Sequence, residues 1–150
     1  MNAFDLLKQD HQKVRTLCSQ MGTTGERDTM KREEIFRQVK QEVDVHTKIE
    51  EQCLYPLAKK YKETQEITER SLEEHQQIKQ LLQELSRKEV QSEDWLPTFK
   101  TLQECFEDHV EEEESEMFPK LQKILSRDEM SKLGDDLQSM KTREMESIRR

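Results

Sequence analysis

Two stretches of the chain place a histidine four residues before a glutamate, His46 before Glu50 and His109 before Glu113. In a helix, residues four apart lie one above the other on the same face, so each pair presents an imidazole nitrogen and a carboxylate to one point. Imidazole and carboxylate are common ligands of transition-metal ions. The spacing therefore predicts that both pairs bind metal.

The other two histidines, His11 and His75, also fall on the apolar faces of their predicted helices. A buried carboxylate without a cationic partner is unstable in an apolar core. Neither Glu50 nor Glu113 has an arginine or lysine on its own apolar face. We therefore expect a cation between the helices, held by six ligands: His11, His46, Glu50, His75, His109 and Glu113.

Four imidazoles and two carboxylates are more ligands than one tetrahedral zinc ion takes. Mixed nitrogen and oxygen ligation at a higher coordination number suits iron better, with manganese as the second choice. If both carboxylates bridge and an oxo or hydroxo group is shared, two six-coordinate ions keep about one open position each. The ligand set therefore favours two iron ions over one.

Apolar residues recur along the chain at alternating steps of three and four, the period of a buried helix face. They predict four long helices, over about residues 4–21, 28–62, 64–88 and 94–121. Asn2 and Asp28 are suitable N-caps for the first two helices, and Pro56 is expected to kink the second. A capping box from Ser126 to Glu129 predicts the start of a fifth helix.

The second and fourth predicted helices share the pattern H-x3-E-E-x2-(L/M)-(Y/F)-P, beginning at His46 and at His109. The first and third share an acid followed by His11 or His75, so a helical hairpin occurs twice. Short loops make neighbouring helices antiparallel. We predict an all-α fold: an up-down-up-down four-helix bundle over residues 1–125, with an additional C-terminal helix over 126–150 docked on it.

Composition excludes several classes of protein. The net charge of -8 opposes binding to nucleic acid, and no apolar run approaches the roughly 18 residues of a membrane span. Charged residues near the N-terminus argue against a signal peptide. The 3 cysteines form no CxxC pair, which argues against a disulfide framework or a zinc knuckle. We therefore expect a cytoplasmic protein whose partners are neither nucleic acid nor membrane.

The chain resembles the hemerythrin-like, or HHE cation-binding, domain over about residues 1–125. The resemblance rests on the ordered set His11, His46-x3-Glu50, His75 and His109-x3-Glu113, together with the two E-E-x2-(L/M)-(Y/F)-P tails. It implies a non-haem diiron centre inside a four-helix bundle. Its cofactor would be two iron ions bridged by carboxylates and an oxo or hydroxo group.

One position departs from the oxygen-carrying members of that family. Those members bring a fifth histidine from an H-x3-H pair on the third helix, whereas Ser71 and Lys79 stand four residues either side of His75 here. The departure argues against simple oxygen transport and resembles four-histidine members associated with nitric oxide, peroxide or iron-sulfur repair chemistry. Ser71 either admits water or a diatomic ligand beside the metal or only relieves crowding.

The leading hypothesis is a diiron oxidoreductase that meets oxidative or nitrosative stress. No Gly-rich phosphate loop or dinucleotide fingerprint is present, so the reactant should be dioxygen, hydrogen peroxide or nitric oxide. The reductant is not identified by the sequence, and a monomer and a homodimer both stay open. The alternative is a module that senses or stores oxygen or iron without turnover, with the fifth helix transmitting its state. A metal-free structural bundle ranks third.

Several residues near the predicted ligands are interpreted as structural. A solvated acidic face accounts for Glu51, Glu111, Glu112, Glu114 and Glu116. Only Glu50 and Glu113 keep the register of the buried face, although Glu114 is the strongest alternative ligand to Glu113. Tyr55 is assigned to core packing rather than to proton or electron donation. Cys53 and Cys105 are interpreted as small apolar residues, not nucleophiles.

Overall fold

A computed structural model describes residues 2–149, and its secondary structure is entirely helical there. The α-helices are α1 (Ala3–Met21), α2 (Thr29–Ile49), α3 (Tyr55–Ala58), α4 (Lys62–Arg87), α5 (Trp95–Glu112), α6 (Phe118–Ile124) and α7 (Arg127–Arg149). Two π-helical segments, Glu50–Leu54 and Glu113–Met117, join α2 to α3 and α5 to α6. Residues 1 and 150, the outer ends of the two predicted parts of the chain, lie outside the described range.

The predicted all-α bundle with an additional helix is confirmed. Helix α1 packs along α2, and α4 packs along α5, so each short loop joins two antiparallel neighbours. The fifth helix, α7, lies against α1, α2 and the first π segment. Within residues 2–149, none of the helices combines the length and the apolarity that spanning a membrane requires.

Hydrogen bonds at the helix starts confirm two predicted caps and correct a third. Asn2 Oδ1 accepts the N–H of Asp5 at 2.8 Å. Ser126 Oγ accepts the N–H of Glu129 at 3.1 Å, and the Ser126 N–H donates to the Glu129 carboxylate at 3.0 Å. Asp28 caps no N–H of α2 with its side chain. Its carboxylate instead accepts the Gly25 N–H at 2.8 Å, which closes the loop before the helix.

Helices α2 and α5 each widen into a π segment where the sequence repeat ends in proline. Proline has no N–H and clashes with the carbonyl four residues earlier, so an α-helical ladder does not continue through it. The N–H of Tyr55 reaches Glu50 O and that of Phe118 reaches Glu113 O, each five residues back. The distortion expected at Pro56 is therefore a π turn, and it begins at Glu50, a predicted metal ligand.

The π turn changes which residues face the core. A regular helix would continue the buried face of Glu50 at Cys53 and Leu57, but the extra residue per turn brings Leu54, Tyr55 and Ala58 inward instead. Cys53 and Leu57 are only partly buried. A one-residue insertion in the helical register thus turns Tyr55 toward the middle of the bundle.

Two apolar clusters fill the bundle on either side of the histidines. The first surrounds Trp95, which is 0% exposed and packs its ring 5.6 Å from those of Phe36 and Phe99. The second surrounds Phe118 and includes Leu137 of α7, also 0% exposed. Helix α7 therefore contributes to the core rather than only covering it.

Candidate metal centre

The structure brings all six sequence-predicted residues together between the two apolar clusters. Each of the six is at most 1% exposed: His11, His46, Glu50, His75, His109 and Glu113. The four histidines come one each from α1, α2, α4 and α5, and each glutamate is the first residue of a π segment. The predicted pattern therefore converges on one buried polar site in the middle of the bundle.

The histidines form two pairs of nearly equal geometry. His11 and His46 place their Nε2 atoms 3.2 Å apart, and His75 and His109 place theirs 3.1 Å apart. The ring centroids are separated by 4.8 Å and 4.7 Å, with interplanar angles of 68° and 65°. Two nitrogens that each bond one metal at about 2.1 Å, at right angles, lie about 3.0 Å apart. Both pairs therefore fit a bound cation.

The two glutamates lie between the histidine pairs. Glu50 Oε1 is 3.2 Å from His46 Nε2 of one pair and 3.1 Å from His75 Nε2 of the other. Glu113 Oε1 is 3.3 Å from His11 Nε2 and 3.4 Å from His109 Nε2. Glu50 Oε1 is also 3.6 Å from His109 Nε2. Each carboxylate therefore contacts both histidine pairs.

The outer nitrogens of the histidines reveal four carboxylates that the sequence did not assign to the site. Within each hairpin, the acid before one histidine contacts the other histidine. Asp10 accepts a hydrogen bond from His46 Nδ1 at 3.0 Å, and Glu74 accepts one from His109 Nδ1 at 2.8 Å. Because an ionised carboxylate only accepts, the contact fixes Nδ1 as the N–H and turns Nε2 inward.

The other two outer carboxylates each contact a histidine of the opposite hairpin. Glu51 accepts from His75 Nδ1 at 2.8 Å, and Glu114 accepts from His11 Nδ1 at 2.6 Å. Assigning these two glutamates to a solvated face is therefore wrong, and Glu114 contacts the outer side of a histidine rather than replacing Glu113. The signal was present in the sequence as an acid next to His11, Glu50, His75 and Glu113, at matching positions of both hairpins.

Tyr55 also belongs to the site, so its assignment to core packing is corrected. Its hydroxyl donates to Glu113 Oε2 at 2.7 Å and lies 3.0 Å from His75 Nε2 and 3.2 Å from Glu50 Oε1. Burial, followed by the charges of Glu113 and Glu50, raises the pKa of Tyr55 well above its usual value. The hydroxyl therefore keeps its proton among the inner carboxylates.

The electrostatic field at the site favours positive charge. Burial alone would lower the pKa of His46, but Glu50 and then Asp10 outweigh it and raise that pKa to about 10. Burial alone would raise the pKa of Glu50, yet the histidines, His46 foremost, hold it well below its usual range. A field that holds a proton on an inward nitrogen also attracts a metal cation there.

The charges of the site also favour the binding of cations. Six carboxylates contact the histidines: Asp10, Glu50, Glu51, Glu74, Glu113 and Glu114. Lys79 contacts Glu51 at 3.0 Å and Lys141 contacts Asp10 at 2.5 Å. With neutral imidazoles, six negative charges against these two positive ones leave an excess of four, which two divalent cations would balance. Glu50 Oε2 and Glu113 Oε1 are buried without a hydrogen-bond partner in the described part of the chain.

An all-helical bundle with buried histidines and glutamates defines a class of cation-binding helical proteins. The chain matches the family described as the hemerythrin HHE cation binding domain over residues 2–121. It belongs to that family, which confirms the resemblance found in the sequence. The site's donors, imidazole nitrogens and carboxylate oxygens, are compatible with metal binding.

Two relatives and one solved structure are similar to this chain. An uncharacterized hemerythrin-like protein of Schizosaccharomyces pombe is 27% identical over 139 residues, which cover 91% of this chain and 68% of that protein. A protein of Nostoc sp. named DNA nickase is 25% identical over 146 residues, 95% of this chain. The chain spans only 40% of the length of that relative.

The solved structure is a hemerythrin HHE cation binding domain-containing protein from Mycobacterium kansasii. It superimposes with a TM-score of 0.86 at 22% identity, covering 98% of this chain and 89% of the other. At that identity the likeness establishes the fold. The shared fold includes α7, because the match covers 98% of this chain.

Proposed function

We propose that the protein binds two iron ions between the histidine pairs and reacts there with a small oxidant: hydrogen peroxide, nitric oxide or dioxygen. The observation that carries the proposal is the position of Glu50. Its carboxylate is 0% exposed, contacts histidines of both pairs and leaves Oε2 without a partner in residues 2–149. An anion placed this way is stabilised by cations on both sides.

His11, His46, Glu50 and Glu113 would hold one ion, and His75 and His109 with the two glutamates would hold the other. Bound iron supplies exchangeable electrons and open coordination positions for a small molecule. The outer carboxylates hold the imidazole rings in orientation, because each Nδ1 is fixed by its hydrogen bond. The Tyr55 hydroxyl keeps a proton at Oη beside Glu113, where a reacting oxygen atom can receive it.

The size of the reactant follows from burial. Every inner residue is at most 1% exposed, and apolar clusters cover the site from both ends of the bundle. A sugar, nucleotide or peptide does not reach such a site without separating the helices. Molecules of two to four atoms diffuse through fluctuations of a packed core. The proposal is therefore limited to small oxidants.

The test is metal content and optical spectrum of the protein purified without added metal. We expect about two iron ions per chain and an oxo-bridge absorption that changes when hydrogen peroxide is added. The variant His46→Ala should lose iron, whereas Glu107→Ala, which removes only a part-exposed ion pair with Arg15, should keep it. Finding zinc, or finding no metal in both the wild type and Glu107→Ala, would reject the proposal.

A second candidate, sensing without turnover, is favoured by one contact outside the repeat. Lys141 of α7 binds Asp10, which in turn accepts the hydrogen bond of His46 Nδ1. A change at the metal would therefore reach the C-terminal helix through two polar contacts. Steady-state assays with peroxide and nitric oxide separate the candidates, because a sensor changes its spectrum reversibly and consumes neither.

A further inference from the structure

The repeat places different side chains around the two histidine pairs. Positions 64 apart match in α1 and α4, as His11 and His75 do, and positions 63 apart match in the long second helices, as His46 and His109 do. Around His11 the matched positions hold apolar groups, and around His75 they hold hydroxyls. The pairs are Phe4 with Thr68, Leu7 with Ser71, and Phe118 with Tyr55. All six are at most 1% exposed.

The contacts confirm that these residues surround the two histidines differently. The Phe118 ring stacks on His11 with centroids 6.2 Å apart and an interplanar angle of 7°, and Phe4 packs 4.9 Å from Phe118. On the other side, the Tyr55 ring lies 5.1 Å from that of His75, with its hydroxyl directed at the inner atoms. One half of the site is lined by hydrocarbon and the other by groups that form hydrogen bonds.

Ser71 is the hydroxyl whose partner is missing. Thr68 Oγ1 donates to Thr64 O at 2.6 Å, so that threonine is satisfied within its own helix. Ser71 Oγ is buried and has no hydrogen-bond partner in the described residues. It lies one turn before His75 on the same face of α4, and the Tyr55 hydroxyl is 3.0 Å from His75 Nε2. Buried hydroxyls without a protein partner usually bind a small polar molecule.

We propose that Ser71 is a specificity-determining residue that binds the oxygen of a hydroxylic reactant, hydrogen peroxide, beside the His75–His109 pair. The proposal rests on the proposed function, since the reactant reaches iron there. Peroxide both donates and accepts hydrogen bonds, so Ser71 Oγ and the Tyr55 hydroxyl can hold it between them. Nitric oxide and dioxygen are uncharged, weak hydrogen-bond acceptors without a donor, so they gain little from these hydroxyls. The hydrocarbon-lined pair at His11 and His46 lacks both groups.

The test compares the iron-loaded wild type with Ser71→Ala. Optical titration with azide, an unreactive anion that accepts hydrogen bonds, should give a dissociation constant about tenfold higher in the variant. The KM for peroxide should rise similarly while kcat changes less, and nitric oxide binding should stay within about twofold. A defect in folding or metal loading would weaken all ligands together, so this selectivity distinguishes binding from structure.

Matched variants complete the design. Ser71→Thr keeps the hydroxyl and should restore azide affinity. Ser86→Ala, on the same helix but bonded to Leu82 O at 2.8 Å, should behave as wild type. Equal azide affinity in wild type and Ser71→Ala, at equal iron content, overturns the role of Ser71 and leaves the proposed function standing. A wild type that loads iron but binds neither azide nor peroxide also overturns it, and a wild type without iron removes the proposed function itself.

Discussion

The two hairpins of the repeat contribute equivalent residues to an inner layer but differ in the side chains that surround it. The inner layer consists of His11, His46, Glu50, His75, His109 and Glu113. Each supplies two histidines, a glutamate at the start of a π segment and two outer carboxylates. The outer carboxylates of the first hairpin, Asp10 and Glu51, are held by Lys141 and Lys79. No lysine contacts Glu74 or Glu114 among residues 2–149. The ligand geometry is therefore shared, whereas the lysine contacts within residues 2–149 belong to the outer carboxylates of the first hairpin.

The largest expected effect comes from removing a shared ligand. Glu50 faces both histidine pairs, while His11 belongs to one. We expect Glu50→Ala to lose both metal ions and His11→Ala to retain about one, because only the glutamate contributes to both positions. Metal per chain, measured after purification in parallel, checks this. Equal loss in both variants would show that the two ions bind only together, and the two-position description would need to be replaced.

The outer carboxylates should have a smaller effect that tests whether the hairpins are equivalent. Replacing a hydrogen-bond partner of a metal-binding histidine weakens metal affinity by about 10–100-fold. We expect this loss for Glu51→Ala and for Glu114→Ala, measured by competition with a chelator. Glu111→Ala removes an exposed glutamate of the same acidic run and should leave affinity unchanged. If Glu114→Ala matched that control, the contact with His11 would have no role in binding.

The juxtaposition of the inner residues could be predicted from the sequence, because helical spacing alone brings them together. His46 and Glu50 share one helix face, and the repeat at His109 doubles the constraint. The outer layer depends on contacts between helices: Glu51 reaches His75 across the hairpins. Such contacts are not encoded in the period of one helix. The acids Glu51 and Glu114 were visible next to the predicted ligands, but their spacing indicated only a solvated face.

Tyr55 was missed for a different reason. Its direction depends on the π turn, which inserts one residue into the helical register between Glu50 and Pro56. A 3.6-residue period assigns the inward positions to Cys53 and Leu57, so the hydroxyl is misplaced by about a quarter turn. The proline that ends each repeat was the available signal, since it interrupts the α-helical ladder without ending the helix.

Lys141 gives a third and more moderate test, of the support that α7 gives to the first hairpin. Removing its charge with Lys141→Met leaves Asp10, which is 4% exposed, bonded only to His46. We expect metal affinity to fall by about threefold to tenfold, less than for an outer carboxylate, because the lysine acts through Asp10. Lys132→Met, which breaks an exposed pair with Asp136 on the same helix, is the control. An unchanged affinity and spectrum in Lys141→Met would remove α7 from the description of the site.

The smallest effect concerns the cysteines, which lie outside the site in both hairpins. Burial, and then Glu107, raises the pKa of Cys18 on α1 to about 12. At pH 8 only about one such thiol in 10⁴ is ionised, and the thiolate is the reactive form. Burial also raises the pKa values of Cys53 and Cys105, but both are partly exposed. We therefore expect a thiol reagent at pH 8 to label these two first and Cys18 last, with the Cys18 rate rising about tenfold per pH unit. Mass spectrometry of the labelled peptides measures the order. Rapid labelling of Cys18 in the folded protein would mean that α1 opens from α2, and the first hairpin would then be the more mobile half despite its support from α7.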